Sequence, residues 1–248
     1  MTRDELLTAL FPAGCSIQQG GFGTLRGMAA LPGTGRVEII GIEAGTPLGI
    51  EAALILSGHV LELVAAASQA PLLVLVDTAA QEMARREELL GLNEALAHLA
   101  KSLALAAETG MFTLGLLYGR AAAGAFIATA LSTQMLVALP DAYPSVMDLP
   151  SIARVTKLKL ETLEALAQTT PIFAPGLEPL FATGAIAEIW PPDELATRLA
   201  ATLAAPPPRM DARDALGKAR GGRKRAHDIA AQVMAQAAAH GAARRGLQ

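Results

Sequence analysis

Three short runs without a charged residue, Leu72–Val76, residues 111–118 and residues 135–139, alternate with segments whose apolar residues recur at helical spacing. Apolar runs of this length suit strands buried on both faces. Strand, helix, strand, helix, strand with short connections predicts right-handed βαβ crossovers and a mainly parallel sheet covered on both sides. The intervening helices are read over residues 85–108 and 124–131, and another over 49–67. Ahead of them, residues 25–31 and 37–42 read as strands joined at Pro32-Gly33-Thr34-Gly35, where Gly and Pro supply hairpin dihedrals. Residues 2–11 read as a short helix and Gly20-Gly21-Phe22-Gly23 as a loop, after which the folded core is expected to begin. Beyond Pro140 the pattern is mostly helical, at residues 151–167 and 193–204. A stiff break at Pro206-Pro207-Pro208 then precedes a surface helix over 215–239. The expected division is an N-terminal extension (1–19), an α/β domain (20–204) and a proline break with a basic C-terminal helix (205–248).

With 248 residues, 52% hydrophobic and 17% charged, the chain can bury a full core. A net charge of −3 and a pI near 5.8 give no global cationic field, so nucleic acid is not an expected partner. The basic run at 220–225 reads as a solvated face or a contact for an acidic partner. Mean hydropathy is +0.38, but the apolar stretches are broken by Glu51, His59, Glu62, Pro71, Gly119, Arg120 and Gln134, which argues against a membrane span. With only 4% aromatic residues, the excess apolarity is assigned to close helix packing and to a surface hidden by a partner subunit. A single cysteine and no cationic, apolar leader at Met1-Thr2-Arg3-Asp4-Glu5 give a cytoplasmic reading.

The usual carriers of chemistry are sparse. His59, His98, His227 and His240 show no metal-ligand spacing, and His98 reads as a helix-face or partly buried packing residue in preference to a base. Cys15 has no evident base beside it. The glycine clusters match neither a phosphate loop nor a dinucleotide fingerprint. What remains are three corners at strand ends, where open α/β sheets bind ligands: residues 43–49, residues 77–81, and residues 119–125. Singly, each is explained by turn chemistry, with Asp77 capping, Gly45 and Gly49 giving room, and Gly124 and Ala125 letting helix and strand approach. Their recurrence at successive strand ends favours a site of backbone amides, where a developing oxyanion is held without a catalytic side chain. Arg120 reads equally as a partner for carboxylate or phosphate and as an interface ion pair.

Val74-Leu75-Val76-Asp77-Thr78 before a long helix, followed by Gly119-Arg120-Ala121-Ala122-Ala123-Gly124-Ala125-Phe126, resembles the carboxyltransferase branch of the crotonase superfamily. Within it, Arg85-Arg86-Glu87-Glu88-Leu89-Leu90-Gly91, Ala153-Arg154-Val155-Thr156-Lys157, Pro171-Ile172-Phe173-Ala174-Pro175-Gly176 and Gly184-Ala185-Ile186-Ala187-Glu188-Ile189-Trp190-Pro191 resemble gamma subunits of biotin-independent malonate decarboxylase. The resemblance spans roughly residues 20–200. It implies a ClpP/crotonase-type α/β fold of repeated β-β-α units with a helical C-terminal part. It also implies a homologous beta subunit, an acyl carrier protein (delta) bearing malonyl as a thioester, and an alpha acyl-transferase subunit. The carrier's phosphoribosyl-dephospho-CoA arm holds the substrate, so no permanently bound cofactor and no metal are implied. By the same pattern Gly124 and Ala125 supply oxyanion amides, and Asp77, Thr78, Ala79, Gly119 and Arg120 line the substrate pocket. Relatives carry more glycine at the turn, and Pro-Gly after the aspartate-threonine pair. Here Ala121-Ala122-Ala123 and Ala79-Ala80 stand there, adding methyl groups and discouraging left-handed dihedrals. Two other readings remain: a biotin-dependent acyl-CoA carboxyltransferase subunit, and a non-catalytic docking subunit.

Overall fold

The computed structural model describes residues 1–208 and 210–245. The chain opens with α1 (Arg3–Leu10), whose start is fixed by reciprocal bonds between the Thr2 and Glu5 side chains and backbones. Then β1 (Cys15–Gln19), β2 (Thr24–Leu31) and β3 (Gly35–Ile42) form an antiparallel meander. Next come α2 (Ile50–Ala65), β4 (Leu72–Val76), α3 (Arg85–Leu90), α4 (Leu92–Glu108), β5 (Thr113–Leu117), β6 (Arg120–Ala122), α5 (Ala123–Ala128), β7 (Met135–Ala138) and β8 (Tyr143–Ser145). The remainder is α6 (Leu149–Thr156), α7 (Leu160–Thr169), α8 (Leu177–Ala182), β9 (Glu188–Ile189), α9 (Leu195–Ala204), α10 (Arg213–Ala219) and α11 (Ala226–Arg245).

The main sheet runs β1-β2-β3-β4-β5-β7-β9, parallel from β3 onward, and β6 pairs with β8 in a separate two-stranded ribbon. Alternation along each strand sorts side chains into two cores. Ile40, Ile42, Val74, Val76 and Leu117 pack with α2, α4 and α5, whereas Val37, Ile39, Leu73, Leu75 and Leu116 pack with α1 and α9. Burial on both faces explains why these parallel strands read as unbroken apolar runs.

The folded core does not begin after Gly23. Leu6, Leu10 and Phe11 are buried in the second core, and β1 is an edge strand beside β2. The helix expected over 85–108 is broken at Gly91, whose φ of 86° ends α3 and starts α4. Residues 151–167 likewise divide, at Lys157 with φ 62°. The C-terminal part is docked by backbone on backbone. A Cβ on Gly184 would overlap the Arg213 carbonyl, and Cβ atoms on Gly217 and Gly222 would overlap the carbonyls of Thr183 and Ala182. Nor is the basic run wholly solvated. Arg220 donates to the carbonyls of Phe181, Ile186 and Ala187 at 2.7–2.8 Å and lies 3.7 Å from the Phe181 ring centroid. No helix among the described residues is long and apolar enough to cross a membrane.

Candidate active site

Parallel pairing of β3, β4 and β5 brings their C-terminal ends side by side, so the three glycine- and alanine-rich corners meet. Hydrogen bonds lace them together. Gly45 N–H donates to Asp77 O (3.2 Å), Leu48 N–H to Ala80 O (2.9 Å) and Glu82 N–H to Leu48 O (2.9 Å), making a parallel bridge between Leu48 and Gln81. Thr78 N–H donates to Arg120 O at 2.7 Å, and its hydroxyl donates to Thr46 O at 2.7 Å. Asp77 Oδ1 accepts from Arg120 N–H at 2.9 Å. Gly119 is glycine for a steric reason: its Cβ would fall inside the Asp77 carboxyl.

The seven candidate residues are therefore together, with different parts to play. Thr78, expected to line the pocket, is fully buried with both donors spent, and braces all three corners. Asp77 and Gly119 hold the third corner in place, and Ala79 is exposed at the surface of the second. Arg120 is exposed, makes no ion pair among the described residues, and places its guanidinium carbon 5.4 Å from the Tyr143 ring centroid. Gly124 and Ala125 lie in the first turn of α5, where backbone N–H groups have no intrahelical acceptor. The Gly124 N–H is engaged nonetheless, donating to Gln81 Oε1 at 2.8 Å. Gln81 belongs to the second corner but carries no signal at sequence level, because its partner is 43 residues away.

The alanines do not keep the turn out of the left-handed region: Ala123 has φ 51°. For a non-glycine residue this costs about 1–2 kcal/mol, a local strain held by the surrounding bonds. Ala123→Gly is expected to raise stability by about 0.5–1 kcal/mol, or about 1–4 °C in Tm, after allowing for glycine's larger unfolded-state entropy. Thermal unfolding checks this, and an unchanged or lower Tm contradicts it.

Beside the corners a cleft of about 530 Å³ is lined by Phe22, Thr46, Pro47, Gly49, Glu82 and Arg86, among others. Its floor explains part of the Arg85-to-Gly91 segment. Glu87 is 4% exposed and accepts from the Ile50 N–H at 2.8 Å, capping α2 from 37 residues away, while Arg86 bonds both Glu87 and Glu51 at 2.5 Å. The Arg86 bond holds the Glu51 carboxyl below its ordinary pKa. Behind the corner, burial pushes the Tyr118 phenol well above its ordinary value, with the nearby Asp77 charge adding to the shift, and its OH has no partner among the described residues. Among those residues no group of three or more His, Cys, Asp and Glu is placed to hold a metal ion. The corner offers hydrogen-bond donors on rigid backbone in surroundings of small residues, suited to charge that appears on an oxygen.

Residues 44–237 match the family model described as malonate decarboxylase gamma subunit. A curated relative, the malonyl-S-ACP:biotin-protein carboxyltransferase MADD of Malonomonas rubra, is 32% identical over 122 residues, which span 48% of this chain and 42% of that protein. The fold is similar to that in the Pseudomonas malonate decarboxylase MdcD-MdcE hetero-dimer, with TM-score 0.75 and 25% identity over 95% of this chain and 99% of the other. A chain of the Pseudomonas hetero-tetramer in complex with coenzyme A gives 0.81 at 24% identity over 95% and 100%. A transcarboxylase 12S chain gives 0.65 at 18% identity, covering 81% of this chain and 39% of that one. The architecture is crotonase-like, α/β with repeated β-β-α units and a helical C-terminal region. The matched segment covers most of the chain and contains the second and third corners and all of the first but Glu43, so this protein belongs to the malonate decarboxylase gamma-subunit family.

Proposed function

We propose that this chain is a catalytic gamma subunit that acts with a homologous beta subunit to decarboxylate malonyl-S-acyl carrier protein to acetyl-S-acyl carrier protein. The observation that carries the reading is the laced corner of backbone donors around Gly124 and Ala125 in a chain of this family. In the reaction the bond between the carboxylate carbon and the α-carbon breaks. Its electron pair becomes an enolate with charge on the thioester oxygen, carbon dioxide leaves, and the α-carbon takes up a proton. The barrier therefore falls mainly through donors placed where that oxygen charge develops, each typically contributing ~3 kcal/mol. The turn of Gly124 and Ala125 serves this charge, Ala125 with its amide and Gly124 through the bond its N–H already makes, while Asp77, Thr78, Ala79, Gly119 and Arg120 shape and border the pocket.

An alpha acyl-transferase subunit and the carrier protein complete the proposed assembly, with the substrate on the carrier's phosphoribosyl-dephospho-CoA arm. A partnered surface is supported by Leu89 and Val155, 73% and 70% exposed, which stand in two of the segments that carry the family likeness. The similarity to a biotin-protein carboxyltransferase favours a second reading, carboxyl transfer to biotin. One assay separates them: carbon dioxide release from malonyl carrier protein, without biotin, by this chain, by its beta partner and by the two together. Release by the pair alone is expected. A strict need for biotin selects carboxyl transfer, and full activity of beta alone leaves this chain a docking subunit.

A further inference from the structure

The Gly124 amide does not face the pocket open-handed. Its N–H is occupied by the side chain of Gln81, which the Leu48 bridge fixes on the neighbouring strand end. Because a backbone N–H can only donate, the Gln81 atom facing it is the carbonyl oxygen, which settles the orientation of the side-chain amide. The other end of that amide, Nε2, carries two N–H donors. It has no hydrogen-bond partner among the described residues. It is also not sealed in the interior, for the buried unpaired side-chain atoms there are Thr34 Oγ1 and Tyr118 OH. Gln81 itself is half-buried. Leu96 packs close by, its Cδ1 2.9 Å from where a Cβ on Gly124 would stand.

We propose that Gln81 is a catalytic residue of the site: Gly124 pins its Oε1, and its Nε2–H donates to the thioester oxygen as the enolate forms. This rests on the decarboxylase reading and deepens it. Gly124 is then a positioning residue, its donor relayed through one side-chain amide, and Ala125 belongs to the same turn of α5. A neutral amide suits the task. It donates to a growing negative charge without forming an ion pair with the malonyl carboxylate, which would hold the ground state as firmly as the transition state. No proton is transferred from Gln81, and the α-carbon is protonated from solvent.

Gln81→Glu provides the test, made in this full chain assembled with its beta partner. The variant keeps an acceptor for Gly124 but, when ionised, presents an oxygen anion where the donor stood. At pH 8 kcat is expected to fall about 100-fold, with KM for the malonyl carrier changing less than about threefold. As pH is lowered toward the carboxyl pKa, the protonated, donating form grows about tenfold per unit, so activity relative to wild type should climb. Gln81→Met should show the same loss without that recovery. A second arm measures binding of the nitroacetyl amide of the pantetheine arm, whose nitronate imitates the enolate, and Gln81→Glu should weaken it about 100-fold at pH 8. Wild-type kcat and analogue binding in Gln81→Glu, or a Gln81→Ala enzyme faster than wild type, overturn the proposal, the latter showing Gln81 to be a plug. Failure of the wild-type pair to release carbon dioxide instead sinks the decarboxylase reading, while the analogue arm still decides whether Gln81 holds an oxyanion.

Discussion

On the proposed decarboxylase reading, Gly124→Pro is expected to lower carbon dioxide release by the complex with its beta partner more than ~10³-fold, with kcat falling and KM for the malonyl carrier nearly unchanged. Proline deletes the N–H that holds Gln81 Oε1 at 2.8 Å. It also drives the preceding residue toward extended backbone, yet Ala123 sits at φ 51°, so the turn cannot keep its shape around the new ring. Gly124→Ala separates these effects. It keeps the N–H, and the nearest atom to its Cβ is Leu96 Cδ1 at 2.9 Å, a side-chain end that can shift, followed by Gln81 Oε1 at 3.4 Å. Its loss should stay below about tenfold, less than removal of one oxyanion donor brings. Steady-state rates, with gel filtration to confirm assembly, read both variants. Wild-type turnover by Gly124→Pro removes Gly124 from the mechanism.

Gly184→Ala is expected to cause a large loss of stability. Two independent costs meet there: a left-handed φ of 84°, and a Cβ that would overlap the Arg213 carbonyl and approach Gly217 N at 2.6 Å. Overpacking against backbone and the left-handed penalty together give about 3 kcal/mol, or about 6–12 °C in Tm for a chain of this size. The loosened region should be the C-terminal part, since Gly184, Gly217 and Gly222 are the points where it touches the body of the chain through bare backbone. Trypsin should then cut the Arg220–Arg225 turn at least about tenfold faster than in wild type, following the rise in the opened state. Trp190, buried in the second core, should keep its fluorescence maximum. Equal Tm and equal cleavage rates contradict the docking role of these glycines.

The parallel half of the sheet was legible because Leu72–Val76 and its neighbours are buried on both faces, and burial writes itself as an unbroken apolar run. β1 left no such trace: four of its five residues are polar or sulfur-bearing and its burial is partial, as befits an edge strand paired on one side. The break at Gly91 was hidden because glycine inside a helical pattern is compatible with continuation, and only its dihedral shows the stop. β6 and β8, three residues each, are too short to show a period. The same holds for the site. Its three corners stand out as clusters of small residues after apolar strands, and their backbone could be anticipated. The bonds from Asp77 to Arg120 and from Gln81 to Gly124 each cross 43 residues and depend on strand neighbours, which composition and spacing do not encode. Arg220 escaped for a similar reason: inside a run of charges nothing marks the one guanidinium that finds three carbonyls and a ring.

Thr78 is the residue on which the corners converge, and its place has a kinetic consequence. Its hydroxyl reaches 32 residues back to Thr46, and its amide reaches forward to Arg120. The first bond waits on closure of the excursion through α2 and the second on that through α3 and α4, so the two together need β3, β4 and β5 in register, and closing such loops before any contact rewards it is slow. Hairpin and helices can therefore assemble early while the pocket does not yet exist. A newly made chain acquires its secondary structure well before it acquires its chemistry.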